Sequence, residues 1–245
     1  MENRKHTSLK DLAQALGVSI PTVSRALKDS PEISRELCAK AKALAKEMNY
    51  RPNPFAMSLR KNAPRIIGVI VPDIVTHFFA SILNGIENMA IANGYFVIIT
   101  TSHESYEHEK RNIENLVNMR VEGIIACLSQ ETTDFSHISA LKDINMPLIL
   151  FDRVCLTDQF SSVIADGAQS AQMATQHLLD NGSERVAFIG GANHLDIVKR
   201  RKHGYLEALR ENRIPIEKEL VVCRKIDYKE GKIATETLLS LPQPP

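Results

Sequence analysis

Six side chains in one short segment could do the chemistry of recognition. In SIPTVSR, Ser19, Thr22 and Ser24 carry hydroxyls that can bond phosphate oxygens, Arg25 carries a forked guanidinium, and Ile20 and Pro21 offer apolar contact. Ser8 adds a further hydroxyl upstream. Hydroxyls and one arginine at the start of a helix suit the phosphates and base edges of a duplex. Ile20 and Pro21 cannot hydrogen bond a base, so they suit thymine methyls, while Arg25 suits guanine.

A second set follows apolar runs further on. Asp73 comes just after IIGVIV with Phe79 behind it, Asp152 comes just after PLILF, and Arg201 precedes Gly204 by three residues in RRKHGY. Carboxylates and an arginine beside an aromatic wall suit a polyhydroxylated ligand such as a sugar, because each can bond two neighbouring hydroxyls. Each also has a plainer reading. Asp73 reads as a helix cap, Asp152 as a loop ion pair with Arg153, and Arg200 and Arg201 as a solvated helix face.

Bond-making chemistry is poorly served. The first strand is not followed by G-x-G-x-x-G, no G-x-x-x-x-G-K-[ST] occurs, and Gly190-Gly191 is explained by a tight turn. His103-Glu104 with His108 is not H-E-x-x-H, and these residues are expected on an exposed loop and helix start. Cys38, Cys127, Cys155 and Cys223 are scattered without metal-ligand spacing, which suits small buried residues in a reducing compartment. The expectation is a protein that is not an enzyme and has no cofactor and no metal.

The elements that position the first set are two short helices. Leu9, Leu12, Ala13 and Leu16 recur at i, i+3, i+4 and i+7, Ser8 with Asp11 caps the start, and Gly17 ends the helix. Ser19 caps a second helix that tolerates Pro21 in its first turn and turns Val23, Ala26 and Leu27 towards the first. A third helix from Ser34 carries Leu37, Ala41, Leu44, Ala45 and Met48 as a covering stripe. Asn49-Tyr50-Arg51-Pro52 stops it. Asn53-Pro54 then opens a segment too short to be helical by itself, which makes it a candidate switch.

From Ile66 the pattern changes. IIGVIV, YFVIIT, GIIACL and PLILF alternate with helical patterns near 79–93, 107–119 and 136–144. After a VIA run at Val163, a second series brings a helix from Gly167, the strand RVAFIGG, a helix through His203, the strand LVVC and a last helix from about Lys229. Buried strands alternating with helices imply a parallel sheet covered on both faces, and two such series imply two lobes with a ligand cleft at the carboxyl ends of the strands.

Charge divides the same way. Residues 1–65 carry a net +7 and the remainder −6, so the overall +1 conceals a basic head on an acidic body. That asymmetry is the footprint of a phosphate-binding module attached to something that does not touch nucleic acid. The opening MENRKHTSLK has no apolar run and no membrane-length stretch follows, so a cytoplasmic location without membrane contact is expected.

TVSRALKD, MNYRPNPFAMSLR and IIGVIVPDIVTHFF together resemble the lactose-repressor (LacI/GalR) family of bacterial transcription regulators, over a span from about Ser8 to the end of the chain. The resemblance implies an α-helical helix-turn-helix head plus an α/β, two-lobed, parallel-sheet sensor domain of periplasmic-binding-protein type. Its divisions would be a DNA-binding domain at 1–52, a hinge helix and linker at 53–65, a first lobe at 66–165 and part of a second lobe at 166–245. It also implies a homodimer on a pseudo-palindromic operator in double-stranded DNA, most often as a repressor, with a sugar or sugar-derived effector. The hinge helix would enter the minor groove, with Asn53 at its start, Ala56 allowing two hinges to pack and Leu59 wedging a central base step. Arg201 would match the arginine that commonly contacts effector. Members run on beyond the point where this chain stops, at LPQPP, so the second lobe is expected to be incomplete. The alternative is a solute-binding protein with no regulatory role.

Overall fold

A computed structural model describes residues 7–50 and 65–245. The chain divides into two compact units after Ala63. In the first, α1 (Leu9–Leu16), α2 (Ile20–Ala26) and α3 (Arg35–Glu47) form the head. Their ends are set by side chains. The Ser8 hydroxyl accepts from the Asp11 amide at 3.3 Å while the Asp11 carboxylate accepts from the Ser8 amide at 2.8 Å, a reciprocal cap. Gly17 takes φ +67°, where a side chain would be strained. Ser19 and Ser34 cap α2 and α3 by accepting from Thr22 and Leu37. Leu12, Ala13 and Val23 are buried among the three helices with Leu9, Leu16, Leu27 and Leu44 around them, and Ala26, Cys38 and Ala41 close the far side. A buried leucine or valine contributes about 1.5–3 kcal/mol, so this small core can hold three short helices that none could sustain alone.

The second unit holds two parallel sheets. The larger has the order β2-β1-β3-β4-β5, with β1 (Ile66–Val71), β2 (Phe96–Thr101), β3 (Gly123–Ala126), β4 (Leu148–Phe151) and β5 (Ser161–Val163). The crossovers are α4 (His77–Ala92), α5 (Tyr106–Asn118) and α6 (Ser136–Asp143). Alternate residues of the central strands feed two cores. Ile66, Ile70, Ile124, Ala126, Leu148 and Leu150 pack with Ile113, Leu116, Ile138 and Leu141 of α5 and α6. Val69, Val71, Cys127 and Phe151 pack with Phe79 and Leu83 of α4. Burial on both faces is why these strands read as unbroken apolar runs.

The smaller sheet pairs β6 (Phe188–Gly190) with β7 (Val221–Cys223), flanked by α7 (Gly167–Asp180), α8 (Asp196–Glu211) and α9 (Tyr228–Leu239). The strand expected over RVAFIGG is only three residues long, because β7 offers it a ladder of three pairs. No helix among the described residues is long and apolar enough to cross a membrane.

In the larger sheet β1 leads outward to β2 and the chain then returns to β3 on the other side of β1. Such a reversal opens a crevice at the carboxyl ends of the strands. The residues after β1, β2, β3 and β4 are Pro72-Asp73, Ser102 to Glu104, Cys127 to Gln130, and Asp152-Arg153.

Candidate functional site

On the head, α2 presents Ile20, Pro21 and Arg25 outward, with Thr22 and Ser24 half-buried and Val23 and Ala26 inside. Ser19 and Thr22 share a hydroxyl hydrogen bond of 2.8 Å, so the cap of α2 sets two hydroxyls side by side. Ser8 is exposed but its hydroxyl is held by Asp11 at 2.7 Å. The Arg25 guanidinium lies 2.9 Å from Glu32, a pair exposed on both sides. Exposed pairs contribute only about 0–1 kcal/mol, so a stronger anion can take Arg25 from Glu32 at little cost. Glu32 was not among the residues singled out from sequence. Asn53, Ala56 and Leu59 lie outside the described residues.

Between the lobes lies a cleft of about 720 Å³, within the range of pockets that enclose small molecules. Asp73, Phe79, Asp152 and Arg201 all line it. Asp73 does two jobs. Its Oδ1 accepts from the Val75 and Thr76 amides at 2.7 and 3.0 Å, which folds the turn leading into α4 without capping the helix itself, whose N-cap Thr76 has no side-chain cap bond, and the residue also borders the cleft. Phe79 is 5% exposed and belongs largely to the core, edge-on to Phe78 and Phe151. The exposed ring beside it is Phe78.

Asp152 sits at φ +58°, a conformation costly for a residue with a side chain and one that aspartate tolerates better than most. Burial pushes its carboxyl above the ordinary range, against the opposing pull of Arg153 and Arg201. The expected ion pair between Asp152 and Arg153 is not what forms. Arg153 is buried and donates instead to Glu104 at 2.6 Å and to the Leu128 carbonyl at 3.2 Å. Arg201 makes no hydrogen bond or ion pair among the described residues, and its stem runs along Gly167, where an added Cβ would stand 3.3 Å from its Cγ. A guanidinium with no hydrogen bond among the described residues and a carboxylate that accepts from the Cys127 thiol at 4.0 Å therefore face the same space. Such a site can grip a ligand that both accepts and donates.

Glu104, at φ +59°, is more than the exposed loop residue expected, since it borders the cleft, holds Arg153 and accepts from the Gln130 amide at 2.8 Å. No local pattern announces it, because its partners lie 26 and 49 residues away. The buried thiols of Cys127 and Cys155 are pushed up to about 12, which leaves them unreactive at neutral pH.

A three-helix head with a capped polar helix, followed by a two-lobed parallel α/β unit whose cleft sets a few charged groups in a largely apolar wall, defines a ligand-sensing, nucleic-acid-binding protein. Residues 8–53 match the model of bacterial regulatory proteins of the lacI family, and residues 65–245 match that of periplasmic binding proteins and the sugar-binding domain of the LacI family. Catabolite control protein A of Priestia megaterium is 31% identical over 98% of this chain and 72% of its own length. The probable HTH-type transcriptional repressor ExuR of Bacillus subtilis is 33% identical over 97% and 71%. The lac repressor dimer solved with operator and the anti-inducer ONPF is 25% identical, with a TM-score of 0.75 over 96% of this chain and 70% of that one. The chain belongs to the LacI family and is a DNA-binding transcriptional regulator with a small-molecule-binding domain. The matched head weighs against a solute-binding protein without a regulatory role.

Proposed function

We propose that this chain is a repressor that holds a pseudo-palindromic operator as a dimer and is governed by a sugar or sugar-derived effector in the cleft. It works by binding rather than by catalysis, in the cytoplasm. The divisions are a DNA-reading head at 1–52, a hinge and linker at 53–65, and lobes at 66–165 and 166–245. The observation that carries the reading is the cleft itself, where Arg201 without a bonded partner and a desolvated Asp152 line one cavity with the Phe78 ring. A polyhydroxylated ligand satisfies both charged groups and stacks an apolar face on the ring. Asp73 and Phe79 complete the set. The names of the relatives point the same way, for ribose operon repressors of Bacillus subtilis and Halalkalibacterium halodurans are among them.

On DNA, Arg25 reads guanine, Ile20 and Pro21 contact thymine methyls, and Ser8, Ser19, Thr22 and Ser24 hold phosphates. Asn53, Ala56 and Leu59 are assigned to the hinge by resemblance alone. Arg25→Ala is expected to weaken binding to the selected operator by about 1–3 kcal/mol and to relax preference at one position. Sites selected from random DNA by the wild type and the variant check this. An equal loss on all sequences would make Arg25 a phosphate contact.

The cleft is tested by calorimetry with a panel of pentoses, hexoses, uronic acids and sugar phosphates. Arg201→Ala and Asp152→Ala should each abolish the heat of the sugar that wild type binds while leaving operator affinity near wild type, since effector acts on the head only through lobe closure. Unchanged sugar binding in both variants would move the site.

A further inference from the structure

The loop that follows β3 reaches the second lobe through a buried residue, Gln130, and an exposed neighbour. Gln130 is 5% exposed, and its side-chain Oε1 accepts from the Ile226 amide at 2.8 Å while Nε2 donates to the Ile226 carbonyl at 3.5 Å. Its own carbonyl accepts from Nε2 of His194 at 2.8 Å, a bond that places the ring proton on that nitrogen. Ile226 and His194 belong to the second lobe, 96 and 64 residues away. The neighbouring Glu131 adds an exposed ion pair to Lys225 at 3.2 Å. The Ile226 side chain in turn presses on Gly191, where a Cβ would stand 2.6 Å from it, so the segment is seated closely against the end of β6.

The remaining hydrogen-bonding group of Gln130, its amide N–H, points back to the cleft. It donates to Oε2 of Glu104, the same oxygen that takes the Arg153 guanidinium at 2.6 Å. Oε1 of Glu104 makes no hydrogen bond among the described residues, and the side chain is 24% exposed where it borders the cavity. One carboxylate oxygen is thus shared between a cleft arginine and the residue that grips the other lobe. The loop is also braced from inside, because the buried carboxylate of Glu109 accepts from the Ser129 amide and the Thr132 hydroxyl.

We propose that Gln130 is the positioning residue that converts occupancy of the cleft into closure of the lobes, with Glu104 as the link between Arg153 and that clasp. The inference rests on the reading of the cleft as the effector site. A ligand hydroxyl donating to Glu104, or an anionic group drawing Arg153 away, changes what the shared oxygen gives to the Gln130 amide. The clasp on Ile226 then tightens or loosens. A neutral amide suits this role, since its bonds to the facing lobe are made and broken without stranding a charge.

The test is hydrogen exchange at the Ile226 amide in the full chain, measured without any sugar. Gln130→Ala should speed that exchange about tenfold, the value of roughly one lost hydrogen bond. Arg153→Met, which removes no bond to Ile226 or Gln130 but takes away the guanidinium that holds the Glu104 carboxylate in place under the Gln130 amide, should speed it in the same direction, and Glu104→Gln, which keeps the shape but weakens the acceptor, should do so more mildly. Amides of the central strand β1, such as Ile70, serve as the control and should stay protected in Glu104→Gln even if Arg153→Met proves unstable. An unchanged Ile226 in Gln130→Ala would mean that no clasp forms in solution. A response to Gln130→Ala but to neither Arg153→Met nor Glu104→Gln would leave a clasp deaf to the cleft, and either result overturns the proposal. Because no sugar is present, these failures are separate from a failure of calorimetry to place the effector at Arg201.

Discussion

Gly204→Ala is expected to lower the stability of the second unit by about 3 kcal/mol, at or above the upper end of the usual cost of overpacking. A Cβ at this position would stand 1.9 Å from the carbonyl oxygen of Ala168, 2.8 Å from its carbon and 3.0 Å from the amide nitrogen of Gln172. All three are backbone atoms of α7, so no change of rotamer relieves the clash and the two helices must separate. That separation reaches the cleft. Arg201, which lines the cleft, lies one turn before Gly204 on α8 with its stem against Gly167, and a shift of about an ångström at such a contact is enough to displace its guanidinium. Denaturant titration should therefore show a lower midpoint, and sugar affinity should fall with it. Gly231→Ala makes the contrasting control, because it lies within α9 with nothing within 4 Å of its added Cβ. There the substitution should be neutral or stabilising by up to about 1 kcal/mol, the ordinary advantage of alanine in a helix. Equal midpoints for Gly204→Ala and wild type would refute the account of the α7 to α8 contact.

Glu109→Ala is expected to cost about 3–5 kcal/mol, the range for removing one member of a buried polar cluster. The carboxylate is fully buried at the start of α5, and it accepts from the Ser129 amide, from the Thr132 hydroxyl at 3.0 Å and from Nε2 of His137 at 2.8 Å. Truncation leaves all three donors in the core without their acceptor. The His137 ring is itself one bond short, because its Nδ1 is buried with no hydrogen-bond partner among the described residues. Glu109→Gln keeps the volume but turns one acceptor oxygen into a donor facing other donors, so it should also destabilise, though by less. Equilibrium unfolding followed by circular dichroism measures both. A loss below about 1 kcal/mol in Glu109→Ala would show that the cluster is solvated. The loop from Ser129 to Thr132 should be the first part to loosen, since two of the three bonds hold it.

These two residues also mark what sequence reading could reach. Helices and their ends were legible because the signals are local. Ser8, Ser19 and Ser34 each bond an amide three residues on, Gly17 takes the left-handed conformation that ends α1, and the stripes of α1 and α3 bury the residues their spacing indicates. The strands of the larger sheet were legible for a different reason. Both faces of β1 and β3 are covered, and β4 is buried except at Ile149, so their sequences are continuously apolar and stand out between amphipathic helices. That Asp73 and Asp152, placed just after strands, would border one cleft also followed from the sequence, since a parallel α/β sheet presents its carboxyl ends to one crevice.

What only the tertiary structure decided is which of those residues meet. Asp152 and Arg153 are adjacent in the chain, yet Arg153 pairs with Glu104, because the order β2-β1-β3-β4-β5 brings the loops after β2 and β4 to one end of the sheet. Gln130 reads Ile226 across 96 residues, and nothing in the period of either segment encodes that meeting. Gly204 matters through its distance from the α7 backbone rather than through any turn it makes. The division has one physical cause. Hydrophobic period and capping report on the three or four nearest residues, whereas a buried charge or a close backbone approach is settled by partners that sheet order alone brings within reach.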